Sequence, residues 1–258
     1  MAISPDFRTY TGAAGTAQTA AVLDVGLRAY MLRVYNWMAS GLLLTAIVAY
    51  GISSTSLLDV FYPLQETVRG FVRVPSALAY ISIFAPLAFT LVLSFGINRL
   101  SVRAAQGLFW AFCVAMGASI TSIFLIYAHQ SIVETFFITA AMFAGMSIYG
   151  YTTRTDLTRM GSFLIMGLFG IIIAGLVNMF VGSSALQFGI SVIGVIVFVG
   201  LTAYDTQRIK SDYVNFAYAE GPEMAAKRSV MASLSLLLNF INLFMLLLQL
   251  TGNRSNNN

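Results

Sequence analysis

Gly200-Leu-Thr-Ala-Tyr-Asp-Thr-Gln-Arg-Ile-Lys210 is the stretch from which the rest of the chain is best read. It places one carboxylate, Asp205, at the end of an apolar segment running back to Phe188, with Arg208 and Lys210 following within five residues. A charged side chain on a membrane-length apolar segment costs roughly 2.5–3.5 kcal/mol near the helix centre on insertion scales, and less toward the interface. Such a group is a functional candidate by default. The structural alternative is that Asp205 caps a helix end in the headgroup layer and pairs with Arg208, only about 4–5 Å further along the axis at 1.5 Å rise per residue. Position alone leaves both readings open.

Working outward, composition sets the class. Of 258 residues, 58% are hydrophobic and 9% are charged, against roughly 25% charged in soluble domains. The apolar stretches approach 20 residues and do not alternate over about 10, so the chain is read as an all-α integral membrane protein and not as a β-barrel. A single cysteine, Cys113, lies inside an apolar run, which excludes an intramolecular disulfide and a cysteine-based metal site. The single histidine, His129, excludes a two-histidine site within one chain. The basic balance comes from arginines in loops, a pattern of membrane orientation and not of nucleic-acid binding.

Seven spans are predicted, at about Val34–Ile52, Pro75–Ile97, Ala104–Tyr127, Ile132–Tyr151, Met160–Val181, Leu186–Gln207 and Val230–Leu250. Residues 1–33 read as a flexible tail whose last part, Ala20–Arg33, is a candidate interfacial helix, and they lack a signal-peptide pattern. Residues 34–250 form one membrane domain and 251–258 a polar tail. Tyr35 and Trp37 anchor span one at the interface. Pro86 removes a backbone hydrogen bond inside span two and is expected to kink it. Gly107, Ala111, Ala115 and Ser119 make a small-residue stripe on span three, and Ala140, Ala141, Ala144 and Gly145 a small face on span four, both suited to close helix contact. His129 sits in a minimal loop, and Glu134 falls in the first turn of span four, where a carboxylate suits the helix N-terminus. Glu134 is read as structural.

The loops give the orientation. Eleven basic residues fall on the side of the N-terminal tail, and three, Arg69, Arg73 and Arg254, on the other. By the positive-inside rule the N-terminus is cytoplasmic and the C-terminus outside, with Asp205 near the cytoplasmic end of its helix. The competing layout has span seven re-entering, but its 21 or so apolar residues are long enough to cross.

Enzyme chemistry finds no footing. His-Glu-x-x-His, glycine-rich phosphate loops and dinucleotide fingerprints are absent, and Asp205 is the single aspartate within a span. A polar set remains inside the apolar segments: Asn36, Asn178, Gln187, Asp205, Asn239 and Asn242. Leu236-Leu-Leu-Asn-Phe-Ile-Asn-Leu-Phe244 places two amides three residues apart on one helix face. They are read either as interhelical hydrogen-bonding groups or as the lining of a polar path past Asp205.

Ala203-Tyr-Asp-Thr-Gln-Arg-Ile-Lys210 together with Asn239-Phe-Ile-Asn-Leu-Phe244, near the end of a seven-span chain, resembles the Bax inhibitor-1 family of transmembrane proteins over about residues 30–250. The chain looks like a bacterial inner-membrane member. The resemblance implies a central last helix wrapped by six others in two three-helix layers. In calcium-conducting relatives it implies two aspartates acting as a proton-sensitive latch. The first matches Asp205; the second falls on Asn239, and an Asp–Asn pair lacks the proton that two adjacent carboxylates share. An arginine of span two is implicated in closing the family's pore, with Arg99 the nearest candidate here.

Two functions are therefore expected. One is a calcium-permeable leak channel gated near Asp205, which supplies the cation site, with Asn239, Asn242, Arg208 and Arg99 along the pathway or latch. The other is a non-conducting regulator that contacts other membrane proteins, such as a membrane-anchored ATP-dependent protease. The expected surroundings are the lipid bilayer and calcium as the transported ion, with no cofactor and no nucleic acid. Calcium takes 6–8 oxygen ligands, so water and carbonyls would supply most of them.

Overall fold

The structure is a computed structural model that describes the backbone of residues 8–67, 70–217 and 221–255, and side chains within 24–67, 70–215 and 221–255. The ends of both tails (1–7 and 256–258) and the loop residues Arg69 and Glu220 lie outside the described residues. Seven helices among those described are long and apolar enough to cross a membrane. Helix α1 runs Arg8–Ser54, well before the expected start at Val34. The reason is a periodic set: Leu27, Tyr30, Met31, Val34 and Met38, spaced by three and four, are all buried. From Asp24 on, the expected interfacial helix is therefore part of span one, Asp24–Ser54. At 1.5 Å per residue that span is about 46 Å long, more than the roughly 30 Å hydrocarbon core, so it projects beyond it.

The loop after α1 departs from an all-helical chain. A short helix α2, Leu57–Phe61, leads to strands β1, Leu64–Thr67, and β2, Gly70–Arg73, which pair antiparallel with Leu64 opposite Arg73 and Thr67 opposite Gly70. Gly70 has φ 116°, which a side chain disfavours. Arg73 clamps the loop by binding Asp59 (2.7 Å) and the Tyr62 carbonyl (2.9 Å).

Helix α3, Ala77–Gly96, is capped by Ser76 and continues through Pro86, whose carbonyl accepts from the Thr90 hydroxyl (2.8 Å). Helix α4, Val102–Ile120, capped by Ser101, and the short α5, Ile123–Ile126, make the third span. Helix α6, His129–Thr152, begins at His129, which is thus not in a loop. Glu134 consequently sits beyond the first turn, exposed, accepting a bond from Gln130 (2.7 Å). Helix α7, Thr158–Val181, starts beside Asp156, whose Oδ1 accepts from the Thr158 hydroxyl and backbone N–H. These two bonds hold the exposed Asp156 carboxyl below its ordinary range. It ends at Gly182, left-handed at φ 66°. Helix α8, Ser184–Asp212, passes through one π-helical turn, Tyr213–Ala217, and helix α9, Pro222–Thr251, opens with Pro222 after Gly221 at φ 85°.

Helix α9 is the buried element: 67% of its most apolar window is buried, against 6% for α7. It packs on α1 and α4 on one hand and on α6 and α8 on the other; α3 packs mainly on α4, and α7 on α8. Lipid is as apolar as leucine, so close backbone approach and hydrogen bonds, not water exclusion, select these contacts. The expected small-residue stripes are at most half-buried. On α4, Gly107 is exposed and Ala111, Ala115 and Ser119 are half-buried, whereas Ala105, Phe109, Cys113 and Gly117 are buried. A Cβ on Gly117 would lie 2.6 Å from the Thr45 carbonyl of α1. On α6, Ala140 is half-buried against the core, Ala141, Ala144 and Gly145 are exposed, and the buried face is Thr135, Thr139, Phe143, Ser147 and Gly150. Gly150 touches the backbone of Ala203 in α8. Small residues face lipid as readily as protein, so spacing alone did not find the fully buried faces.

Helices α1 and α9 run the same way through the body. Tyr30 of α1 stacks on Tyr213, just ahead of α9 (4.8 Å between centroids), while Tyr50 packs on Phe124 at the far end (6.1 Å). After α9, the Asn253 carbonyl accepts from the Ala128 N–H (3.0 Å) and Ser255 donates to the Ile126 carbonyl (2.9 Å). Helix α9 therefore traverses the whole helical body.

Candidate functional site

The stretch that opened the reading divides its side chains between two neighbours. Gln207 and Lys210 turn toward the α6–α7 loop: Gln207 accepts from the Leu157 N–H and donates to the Thr155 carbonyl (both 2.8 Å), and Lys210 donates to the Tyr151 carbonyl (2.9 Å). Asp205 and Arg208 turn toward α9. Asp205 is 6% exposed. Its Oδ2 accepts from the Ser235 hydroxyl (2.7 Å) and from Asn239 Nδ2 (2.8 Å), and its Oδ1 lies 3.0 Å from Arg208 Nη2. Three donors thus meet a carboxylate with about four acceptor positions.

The capping and site readings of Asp205 converge here. The Arg208 pair exists one turn away, as the structural alternative required, yet the carboxylate is buried against α9 and not in an exposed cap. The Arg208 side chain is 42% exposed, so solvent screens the pair and its own contribution is about 1 kcal/mol or less. The buried bonds from Ser235 and Asn239 tie α8 to α9. Removing Asp205 outright would leave two donors without a partner, at roughly 1–3 kcal/mol each.

Two cavities meet at this point. One of about 510 Å³ opens toward Tyr30, Asn98, Asp212 and Arg228. The other, about 740 Å³, lies between α3, α7, α8 and α9, with apolar walls from Leu87, Ile165 and Leu168 and a polar side from Asp205, Asn239, Asn242 and Gln249. Thr90, Arg208, Ser235 and Leu238 line both. The Asp205–Arg208 pair therefore stands where the two spaces adjoin.

Of the residues singled out from sequence, Asp205, Arg208 and Asn239 are brought together, and Asn242 lines the larger cavity without a bond to Asp205 among those found. Arg99 is exposed in the turn after α3 and lines neither cavity; α3 contributes Thr90 to both and Ser94 to the smaller, and Asn98 of that turn also lines the smaller. Asn36 is exposed on α1. Among the described residues no group of three or more His, Cys, Asp or Glu could hold a metal ion, so a cation at Asp205 would rely on hydroxyl, amide and water oxygens. Sequence reading missed Ser235 and Gln249. Both lie on the Asn239/Asn242 face, at i−4 from Asn239 and i+7 from Asn242, a spacing that could have found them.

A family model described as "Inhibitor of apoptosis-promoting Bax1" matches residues 27–256. An uncharacterised protein of Rickettsia prowazekii is 45% identical over 95% of this chain and 98% of its own length. The inner membrane protein YbhL of Escherichia coli is 42% identical over 89% of this chain and 93% of its own. An uncharacterised membrane protein of Streptococcus pyogenes is 31% identical over 89% and 94%. With seven apolar helices and these matches along nearly its whole length, the chain is a multi-pass membrane protein that belongs to the Bax inhibitor-1 family.

Proposed function

We propose that this protein is a calcium-permeable leak channel in which the Asp205–Arg208 pair closes the route between the two cavities. The observation that carries the reading is a buried carboxylate at the junction of two spaces, already neutralised by a guanidinium. In this arrangement Arg208 occupies the charge that a cation would use. Opening requires the guanidinium to leave, after which Asp205, the Ser235 hydroxyl and the Asn239 and Asn242 amides offer oxygens to a partly hydrated ion. The excess of basic residues in the loops on the N-terminal side supports a cytoplasmic Tyr30–Arg228 end and an outside C-terminus, in a bacterial inner membrane like that of YbhL.

One observation favours the regulatory reading, contact with other membrane proteins such as a membrane-anchored protease: α7 packs mainly on α8 and leaves most of its residues exposed. Calcium entry into liposomes carrying the purified chain separates the two. The expected result is entry that Asp205→Asn reduces severalfold. Entry no faster than in empty liposomes, with a protease complex co-purifying from membranes, would replace the channel by the regulator.

A further inference from the structure

At the end of the molecule away from Tyr30, the larger cavity meets a bonded series of neutral side chains. Gln249 Oε1 accepts from Gln187 Nε2 (2.8 Å) and from the Ser191 hydroxyl (3.1 Å). Gln187 Oε1 accepts from Asn178 Nδ2 (3.0 Å), and Asn178 Oδ1 accepts from the Ser183 N–H (3.0 Å). The series thus runs from α9 across α8 to the C-terminal end of α7 and the tight turn at the left-handed Gly182.

Its position on α9 is the second observation. Ser235, Asn239, Asn242, Leu246 and Gln249, spaced by four and three, all line the larger cavity and so share one face. The polar side that begins at the Asp205 tie is interrupted at Leu246 and resumes at Gln249. Asn178 and Ser191 are buried. Amides in hydrocarbon must find partners, and these find them in one another.

We propose that Gln249, held by Gln187 and Ser191, is the far-side closure of the cavity that contains Asp205, a second barrier in series with the Asp205–Arg208 pair. It bars solutes from the Tyr127 face and opens when the Gln249 side chain leaves Gln187 and Ser191. This rests on that cavity being part of the ion path, but the barrier itself can be tested without ion flow.

The test places a thiol in the cavity. Cys113, the single natural cysteine, is replaced by alanine and Asn242 by cysteine, in membrane vesicles of both orientations, with a membrane-impermeant maleimide as probe. Labelling from the Tyr127 face should be slow in this parent. Gln249→Ala, and independently Gln187→Ala, should speed it about tenfold from that face and leave the rate from the opposite face unchanged, because each removes only neutral interhelical bonds. An unchanged rate in both variants would overturn the closure. So would a rise from both faces together, which marks a loosened helix bundle. If labelling behaves as expected while neither the natural chain nor Gln249→Ala in the natural background passes calcium, the closure stands and the ion path falls.

Discussion

Replacing Asn239 by aspartate should give the protein a pH response that the natural chain shows weakly or not at all. Asn239 Nδ2 now donates to Asp205 Oδ2 at 2.8 Å. An aspartate there sets two carboxylates against each other, and at such range both cannot ionise. The folded variant holds a proton between them that the unfolded chain would release. Below the titration of the pair, the shared proton restores the α8–α9 bond. Above it, two charges repel and Arg208 can neutralise only one. The folded state binds the extra proton, so stability falls as pH rises, by about 1.4 kcal/mol for each unit by which the proton is held above the ordinary carboxyl value. The melting temperature in detergent should therefore decline with rising pH in the variant relative to the natural chain. Calcium flux, if the channel reading holds, should gain pH dependence in the variant alone, and Asp205→Asn should abolish it. Superimposable pH profiles for the two chains would contradict the direct Asp205–Asn239 contact.

Gly150→Val should damage the fold far more than Ala115→Leu. A Cβ at Gly150 falls on the backbone of Ala203, which cannot rotate aside, two residues before Asp205. The valine must push α6 and α8 apart and break the Ser147–Thr206 bond (2.9 Å) beside the contact. Overpacking of this kind costs about 1–3 kcal/mol and more where backbone is struck, a large share of the roughly 5–15 kcal/mol that stabilises a folded domain. Ala115 is half-buried on α4, so a longer side chain there is only partly confined. The comparison is the yield of monodisperse protein in detergent and its melting temperature. Equal damage from the two substitutions would mean that the Ala115 face of α4 is packed as tightly as the Gly150 contact.

Much of this was legible because membrane helices announce themselves by length and polar residues within them by contrast. Asp205 stands alone as a carboxylate in its span, and Asn239 and Asn242 keep helical spacing, so their common face could be read before any coordinates. Ser235 was not legible, since a serine in a helix usually bonds its own backbone and signals nothing. Gln249 lies at a span's end, where a polar residue is ordinary. The early start of α1 was hidden by the polar residues interleaved with Leu27, Tyr30 and Met31. The β1–β2 hairpin, four residues a strand with few β-branched residues, gave no alternation long enough to read. Arg99 misled because a basic residue at a helix end marks orientation as readily as a site.

The central claim is that the Asp205–Arg208 pair closes a calcium path, and Arg208→Gln tests it most directly. Glutamine keeps a donor near Ser235 but removes the charge that occupies Asp205. Because the arginine is partly exposed and its pair worth about 1 kcal/mol or less, calcium entry into liposomes at one fixed pH should rise by up to about fivefold over the natural chain. Adding Asp205→Asn should remove the gain. Entry unchanged by Arg208→Gln, or a gain that survives the loss of Asp205, would contradict the account.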